Sequence, residues 1–158
     1  MMAFFAGSFN PFTIGHLDLV ARALKICPEG VVVGVGYNEH KCSTSDARKC
    51  ADDINALFAD VPAVSAIAYS GLTAMAAARH GCRLLVRGFR NAIDAEYERN
   101  LADANRMISD IDTILLPAKP ELATVSSSMV RELLHNGYSD VSRFIPSPRQ
   151  CAEACGRS

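Results

Sequence analysis

Short apolar runs alternate with segments of helical periodicity from Ala3 to Gly137, and this alternation restricts the possible folds more than any other feature of the chain. Ala3–Ala6 is an apolar run ending at Gly7, the pattern of a buried strand. Leu17, Val20, Ala21, Leu24 and Cys27 then recur at helical spacing, with Asp18, Arg22 and Lys25 on the opposite face, until Pro28 and Gly30 end the helix. Val31, Val32, Val33 and Val35 form a second, β-branched strand. Ala47, Cys50, Ala51, Ile54, Leu57 and Phe58 mark a helix with Thr44 or Ser45 as its cap, and Ala63–Tyr69 is a third strand. Leu72–His80 reads as a short helix stopped by Gly81, and Leu84–Val86 as a fourth strand. Ile93, Tyr97, Leu101, Ala104 and Ile108 form the apolar stripe of a long helix. Ile111–Leu116 is a fifth strand closed by Pro117, Ser126–Asn136 is a helix stopped by Gly137, and a short helix is expected near the C-terminus. Such alternation predicts an α/β fold, a parallel sheet covered by helices on both faces. With no linker, repeat or low-complexity tract in 158 residues, one domain is expected over 1–158.

The bulk properties exclude more than they assign. A net charge of −1 creates no global field for nucleic acid or an anionic membrane. No apolar run approaches the roughly 18 residues of a spanning helix. The start, Met-Met-Ala-Phe-Phe-Ala-Gly, lacks a basic region and meets Gly7 early, so no signal peptide is expected and the chain reads as cytoplasmic. The six cysteines include no Cys-x-x-Cys pair, and only Cys151 and Cys155 lie close in sequence. Thiols in a reducing compartment are therefore expected rather than a zinc site or disulfides.

In open parallel sheets, ligands bind beyond the carboxyl ends of the strands. The polar residues at those ends are Gly7, Ser8, Phe9, Asn10, Pro11, Thr13, Gly15 and His16 after the first strand, and Asn38, His40 and Lys41 after the second. Ser70-Gly71 follows the third, Arg87-Gly-Phe-Arg90 the fourth, and Pro117 and Lys119 the fifth. Basic residues thus gather at one edge of a nearly neutral chain, which describes an anion site. Gly7 lets backbone approach a ligand, Ser8 and Thr13 offer hydroxyls, and Gly15-His16 opens a helix whose free N–H groups and dipole favour phosphate. Arg87 and Arg90 supply guanidinium forks suited to phosphate oxygens. Asp94, Glu96 and Glu98 read as a solvent face or as partners of Arg90 and Arg99. Ser126-Ser127-Ser128 is either a plain helix cap or a second phosphate cradle.

Taken together, Gly7-Ser-Phe-Asn-Pro-Phe-Thr-Ile-Gly-His16, Lys41, Arg87-Gly-Phe-Arg90, Asp94-Ala-Glu-Tyr-Glu98 and Ser126-Ser-Ser-Met-Val-Arg131 resemble bacterial phosphopantetheine adenylyltransferases over nearly the whole chain. The Thr-x-Gly-His element alone is shared with nicotinate-mononucleotide adenylyltransferases and cytidylyltransferases. The resemblance implies a Rossmann-like, doubly wound five-stranded nucleotidyltransferase fold. It also implies reversible adenylyl transfer from ATP to 4′-phosphopantetheine, giving dephospho-coenzyme A and pyrophosphate. It further implies a magnesium (Mg2+) requirement, a homohexamer and inhibition by coenzyme A. Carried over by position, His16, Lys41 and Arg87 would be catalytic, and Ser8 and His16 would hold the ATP phosphates. Gly7, Phe9, Gly88, Phe89, Arg90, Glu98, Val125, Ser126, Ser127 and Ser128 would surround the nucleotide. Ser8, Lys41 and Arg87 would meet the phosphate of phosphopantetheine, with Leu72 and Thr73 along its arm; no residue is expected to be a dedicated metal ligand. Ser8 stands where threonine is common, Asn10 where aspartate is frequent, and Glu39 and Cys42 flank Lys41 where proline and a second lysine are common. Two other readings remain at this level: a different adenylyl or cytidylyl transferase of the same fold, and a nucleotide-binding module without turnover.

Overall fold

A computed structural model describes residues 1–40 and 43–156. Five strands, β1 (Met2–Gly7), β2 (Gly30–Gly36), β3 (Val64–Tyr69), β4 (Leu84–Phe89) and β5 (Asp112–Pro117), form one sheet in the order β3-β2-β1-β4-β5. Every neighbouring pair is parallel. Between and after them run α1 (Ile14–Ile26), α2 (Thr44–Leu57), α3 (Thr73–Arg79), α4 (Ala92–Ser109), α5 (Ser127–His135) and α6 (Pro148–Gly156).

The central strand shows why two layers of helix are needed. Successive side chains of β1 point to opposite faces, and both sets are apolar. Ala3 and Phe5 join Val20 and Ala23 of α1, Ala51 and Ile54 of α2, and Cys151 of α6. Phe4 and Ala6 join Ala74, Ala76 and Ala77 of α3 on the other face. The expected doubly wound α/β sheet is therefore present. From β1 the chain moves outward to β2 and β3, then crosses back to add β4 on the other side of β1. That reversal opens a crevice at the carboxyl ends of β1 and β4, where such sheets bind ligands.

Several local expectations change. The cap of α2 is Ser43, whose Oγ accepts the Asp46 N–H at 3.2 Å, rather than Thr44 or Ser45. In this run of three hydroxyl residues, Ser43 is the one left extended just outside the helix. β4 runs on through Phe89, because Arg87, Gly88 and Phe89 continue their pairing with Leu115, Leu116 and Pro117. Asp18 and Arg22 are not a solvent face, since the Asp18 side chain is only 11% exposed. The largest revision concerns α4. Ile93 is 81% exposed and Tyr97 61%, whereas Glu98 is buried. The inward stripe is Glu98, Leu101, Ala102 and Asn105, at the same helical spacing but rotated from the expected phase.

Candidate active site

The crevice is a cavity of about 510 Å³ beyond β1 and β4. It brings together all the residues expected around the nucleotide except Glu98. Lys41 lies outside the described residues. Leu72 and Thr73 line a neighbouring cavity of about 360 Å³ between β1, α3 and α4, together with Glu98. Arg87 lines both cavities.

The loop from β1 to α1 is held by aromatic packing. Phe9, at φ 47°, turns its ring back so that a Cβ on Gly7 would lie 2.8 Å from Phe9 Cζ. Gly7 is therefore small first to admit Phe9, which changes the expected reason for that glycine. Phe9 packs edge-on against Phe5 and His16, with ring centroids 5.1 and 5.0 Å apart, and the Asn10–Pro11 peptide is cis. Thr13 is buried and caps α1, so its hydroxyl is not offered to a ligand.

His16 completes the capping box. The Thr13 N–H donates to His16 Nδ1 at 2.9 Å, so the ring proton resides on Nε2. Nε2 has no protein partner among the described residues, and His16 lines the crevice. Burial among the aromatic rings lowers its pKa from 6.5 to about 4, so near neutrality it is an uncharged N–H donor. The sign of the linkage follows. The unfolded histidine binds a proton more readily than the folded one, so this stabilisation is complete above pH 6.5 and is lost as pH falls toward 4. The loss is roughly 3 kcal/mol across that window. Urea unfolding of His16→Asn should vary less with pH between 6.5 and 4 than that of the native chain. Parallel curves for the two proteins would refute the neutral state of His16.

Opposite this helix start stands that of α5, where the hydroxyls have structural work. Ser126 Oγ accepts the Met129 N–H at 3.1 Å, Ser127 Oγ donates to the Pro11 carbonyl at 2.7 Å, and Ser128 Oγ accepts from Arg131 Nη2 at 3.2 Å. Arg131 Nη1 also donates to the Asn10 carbonyl. The three serines are thus a cap and a staple between the two walls of the crevice. What this helix start could offer an anion is the N–H groups of Ser127 and Ser128 at the positive end of α5. The two helix starts, α1 and α5, face one cavity.

The cations are already oriented by carboxylates. Arg87 donates through Nε and Nη2 to the two oxygens of Glu98, at 2.8 and 2.7 Å, and through Nη1 to the Ala6 carbonyl. Burial disfavours its charge, but the hydrogen bonds and charge of Glu98 outweigh this and raise its pKa. Glu98 therefore lies beyond Arg87 and lines the neighbouring cavity, whereas the other residues expected around the nucleotide line the crevice. Arg90 pairs with Asp94 at 2.9 Å, as the helical spacing suggests. Lys119 and Arg22 take the two oxygens of Asp18 at 2.7 and 3.2 Å. Asp18 contributes the one carboxylate lining the crevice among the described residues, and no three His, Cys, Asp or Glu come together to hold a metal.

In the neighbouring cavity the Thr73 and Tyr69 hydroxyls share a hydrogen bond at 2.9 Å. Leu101, Ala104 and Ile108 of the expected stripe also line it, with Ala102 and Asn105, which were not singled out in the sequence. Their spacing from Glu98 carried the signal, which the larger Ile93 and Tyr97 masked.

A cytidylyltransferase-like family model matches residues 4–133. The fold, the crevice at the strand reversal and this match define a nucleotidyltransferase. A phosphopantetheine adenylyltransferase of Porphyromonas gingivalis is 47% identical over 92% of this chain and 94% of its own length. The enzyme of that name from Leuconostoc citreum is 43% identical over 92% of this chain and 91% of its own. The chain belongs to the phosphopantetheine adenylyltransferase family. Among solved structures, a Vibrio parahaemolyticus protein provisionally described as a nicotinate-nucleotide adenylyltransferase superposes with a TM-score of 0.62. The match covers 96% of this chain and 91% of that one at 16% identity, a likeness of fold alone.

Proposed function

We propose that this chain transfers the adenylyl group of ATP to 4′-phosphopantetheine, reversibly, giving dephospho-coenzyme A and pyrophosphate. The observation that carries this reading is Arg87 in the wall shared by the two cavities. One cavity has helix starts and His16 for a polyphosphate. The other, lined by Leu72, Leu101 and Asn105, suits an arm of alternating alkyl and amide groups. A phosphate oxygen of phosphopantetheine attacks the α-phosphorus of ATP, and the bond to the departing pyrophosphate breaks. The attacking oxygen is already anionic, so no protein nucleophile is required. Catalysis consists of holding two polyanions in line and neutralising their charge. The helix starts orient the nucleotide phosphates, while Arg87 and Lys41 offset the repulsion between the reactants. His16 donates from Nε2 to an oxygen that gains charge.

Magnesium belongs to the same reading: it would neutralise ATP phosphate charge when bound. With Asp18 occupied by Arg22 and Lys119, phosphate oxygens and water would be its ligands. Coenzyme A carries both the adenylyl and pantetheine parts, so it would span both cavities and inhibit. The exposed Ile93, Tyr97 and Met107 of α4 give an apolar surface consistent with a homohexamer. The five described cysteines are free thiols, which suits the reducing cytoplasm.

Pyrophosphate release from ATP and magnesium with 4′-phosphopantetheine tests the reaction. Release only with nicotinate mononucleotide would move the assignment, and release with neither would leave a binding module. Lys41→Ala is expected to raise KM for phosphopantetheine about 10–100-fold, as for loss of hydrogen bonds to a charged group, and KM for ATP much less. Equal effects on both would separate Lys41 from the acceptor phosphate.

A further inference from the structure

Gly15, Asp18 and Arg22 follow one another at intervals of three and four residues, so they share one face of α1. The stretch that joins β5 to α5 is laid along that face in the opposite direction. At Gly15, a Cβ would meet the Val125 and Leu122 carbonyl oxygens at 3.5 and 4.0 Å. One turn further, Lys119 Nζ reaches Asp18 Oδ1 at 2.7 Å. A turn beyond that, Arg22 Nη1 donates to the Pro117 carbonyl at 2.8 Å and to Asp18 Oδ2 at 3.2 Å. The Asp18 side chain is nearly buried, and each of its oxygens meets one cation. Within the stretch, the Leu122 N–H donates to the Lys119 carbonyl and the Val125 N–H to the Leu122 carbonyl. Whatever holds Lys119 therefore also sets where Val125 and the start of α5 lie. Lys119, Leu122 and Val125 line the crevice, and no residue of this seam lines the neighbouring cavity.

We infer that Asp18 is a positioning residue that acts through Lys119 and Arg22 to clamp the 117–125 wall onto α1, and so sets the width of the nucleotide half of the crevice. Without the carboxylate, two like charges stand side by side across the seam, and the contact that draws the wall inward becomes a repulsion. The seam touches one cavity and not the other, so its loss should be felt by the nucleotide and not by the pantetheine arm. The inference rests on the proposed adenylyl transfer for the identity of the nucleotide as ATP, and on the geometry of the seam for everything else.

Asp18→Asn keeps the shape and removes the charge, and calorimetry with ATP and, separately, with 4′-phosphopantetheine reads its effect. The Kd for ATP is expected to rise about 10-fold, as for loss of hydrogen bonds to a charged group, while that for phosphopantetheine changes less than about twofold. In an Arg22→Met/Lys119→Met background the wall is already released, and Asp18→Asn is expected to cause no further loss. Equal losses in both backgrounds would overturn the inference in favour of direct contact between Asp18 and the nucleotide. Tighter ATP binding by Asp18→Asn alone would overturn it in favour of Lys119 as a phosphate ligand restrained by Asp18. A lowered Tm with native affinity for both ligands would leave only a structural ion pair. Should circular dichroism show Asp18→Asn unfolded, Lys119→Met changes a half-exposed side chain and decides the matter. Weaker ATP binding with faster amide hydrogen exchange over 117–125 supports the clamp, and unchanged exchange overturns it. Binding is read without turnover, so a chain that binds both ligands but releases no pyrophosphate sinks the proposed reaction while the affinities still decide the role of Asp18.

Discussion

Replacing His16 with alanine is expected to lower kcat by about 10²–10³-fold, the range found when one preorganised donor to a developing oxyanion is removed. That factor corresponds to roughly 3–4 kcal/mol of transition-state stabilisation. The effect follows from the fixed tautomer. Thr13 N–H occupies Nδ1, which leaves Nε2–H as the ring's outward donor, and three aromatic rings hold the imidazole in place. The fold should survive, since the change removes a hydrogen-bond acceptor for one backbone N–H at a cost of roughly 1–3 kcal/mol. KM for both substrates should move little compared with kcat. A variant turning over at near-native rate, measured by pyrophosphate release, would remove His16 from the catalytic group.

The largest effect on stability is expected from Phe4→Ala, at about 3–5 kcal/mol. Phe4 has no exposed surface, meets Tyr69 edge-on with centroids 5.4 Å apart, and lies over Gly34 in the adjoining strand. A Cβ at Gly34 would fall 2.2 Å from the Phe4 ring, so the strand pair has been shaped around this side chain. Its cluster joins strand side chains such as Val32 and Leu85 to the alanines of α3, and side chains anchored in the sheet or this short can fill only part of the space that alanine leaves. The urea midpoint should fall with the slope unchanged. A shift worth less than about 1 kcal/mol would mean that the helix layer collapses onto the sheet after all. Because Tyr69 also lines the cavity beside Arg87, a rise in KM for phosphopantetheine in the folded variant would accompany the loss of stability.

Much of the architecture is local and was legible residue by residue. A valine-rich β2 and the apolar β1 cannot leave either face wet, so helices on both sides follow from composition within the strands themselves. The Gly7–His16 segment, Arg87–Arg90 and Ser126–Ser128 were likewise identifiable, because each lies at or beyond the carboxyl end of a strand and those ends share one edge in a parallel sheet. Helix phase was less secure. Apolar size suggested that Ile93 and Tyr97 face inward, but the position of Glu98 depends on a partner in β4 that periodicity does not contain.

That Gly7–His16, Arg87 and Ser126–Ser128 share one edge was therefore determined by the sequence alone, since residue type and position near the carboxyl end of a strand are both written in it. Only the tertiary structure decided how those groups act. It engaged the serine hydroxyls in a cap and a staple, set the proton of His16 on Nε2, and placed Glu98 behind Arg87 in the neighbouring cavity. The reason is that a side chain's donors belong to whichever partner reaches them first, and Pro11, Thr13 and Glu98 become neighbours of those groups only through the folded loops, caps and packed helices.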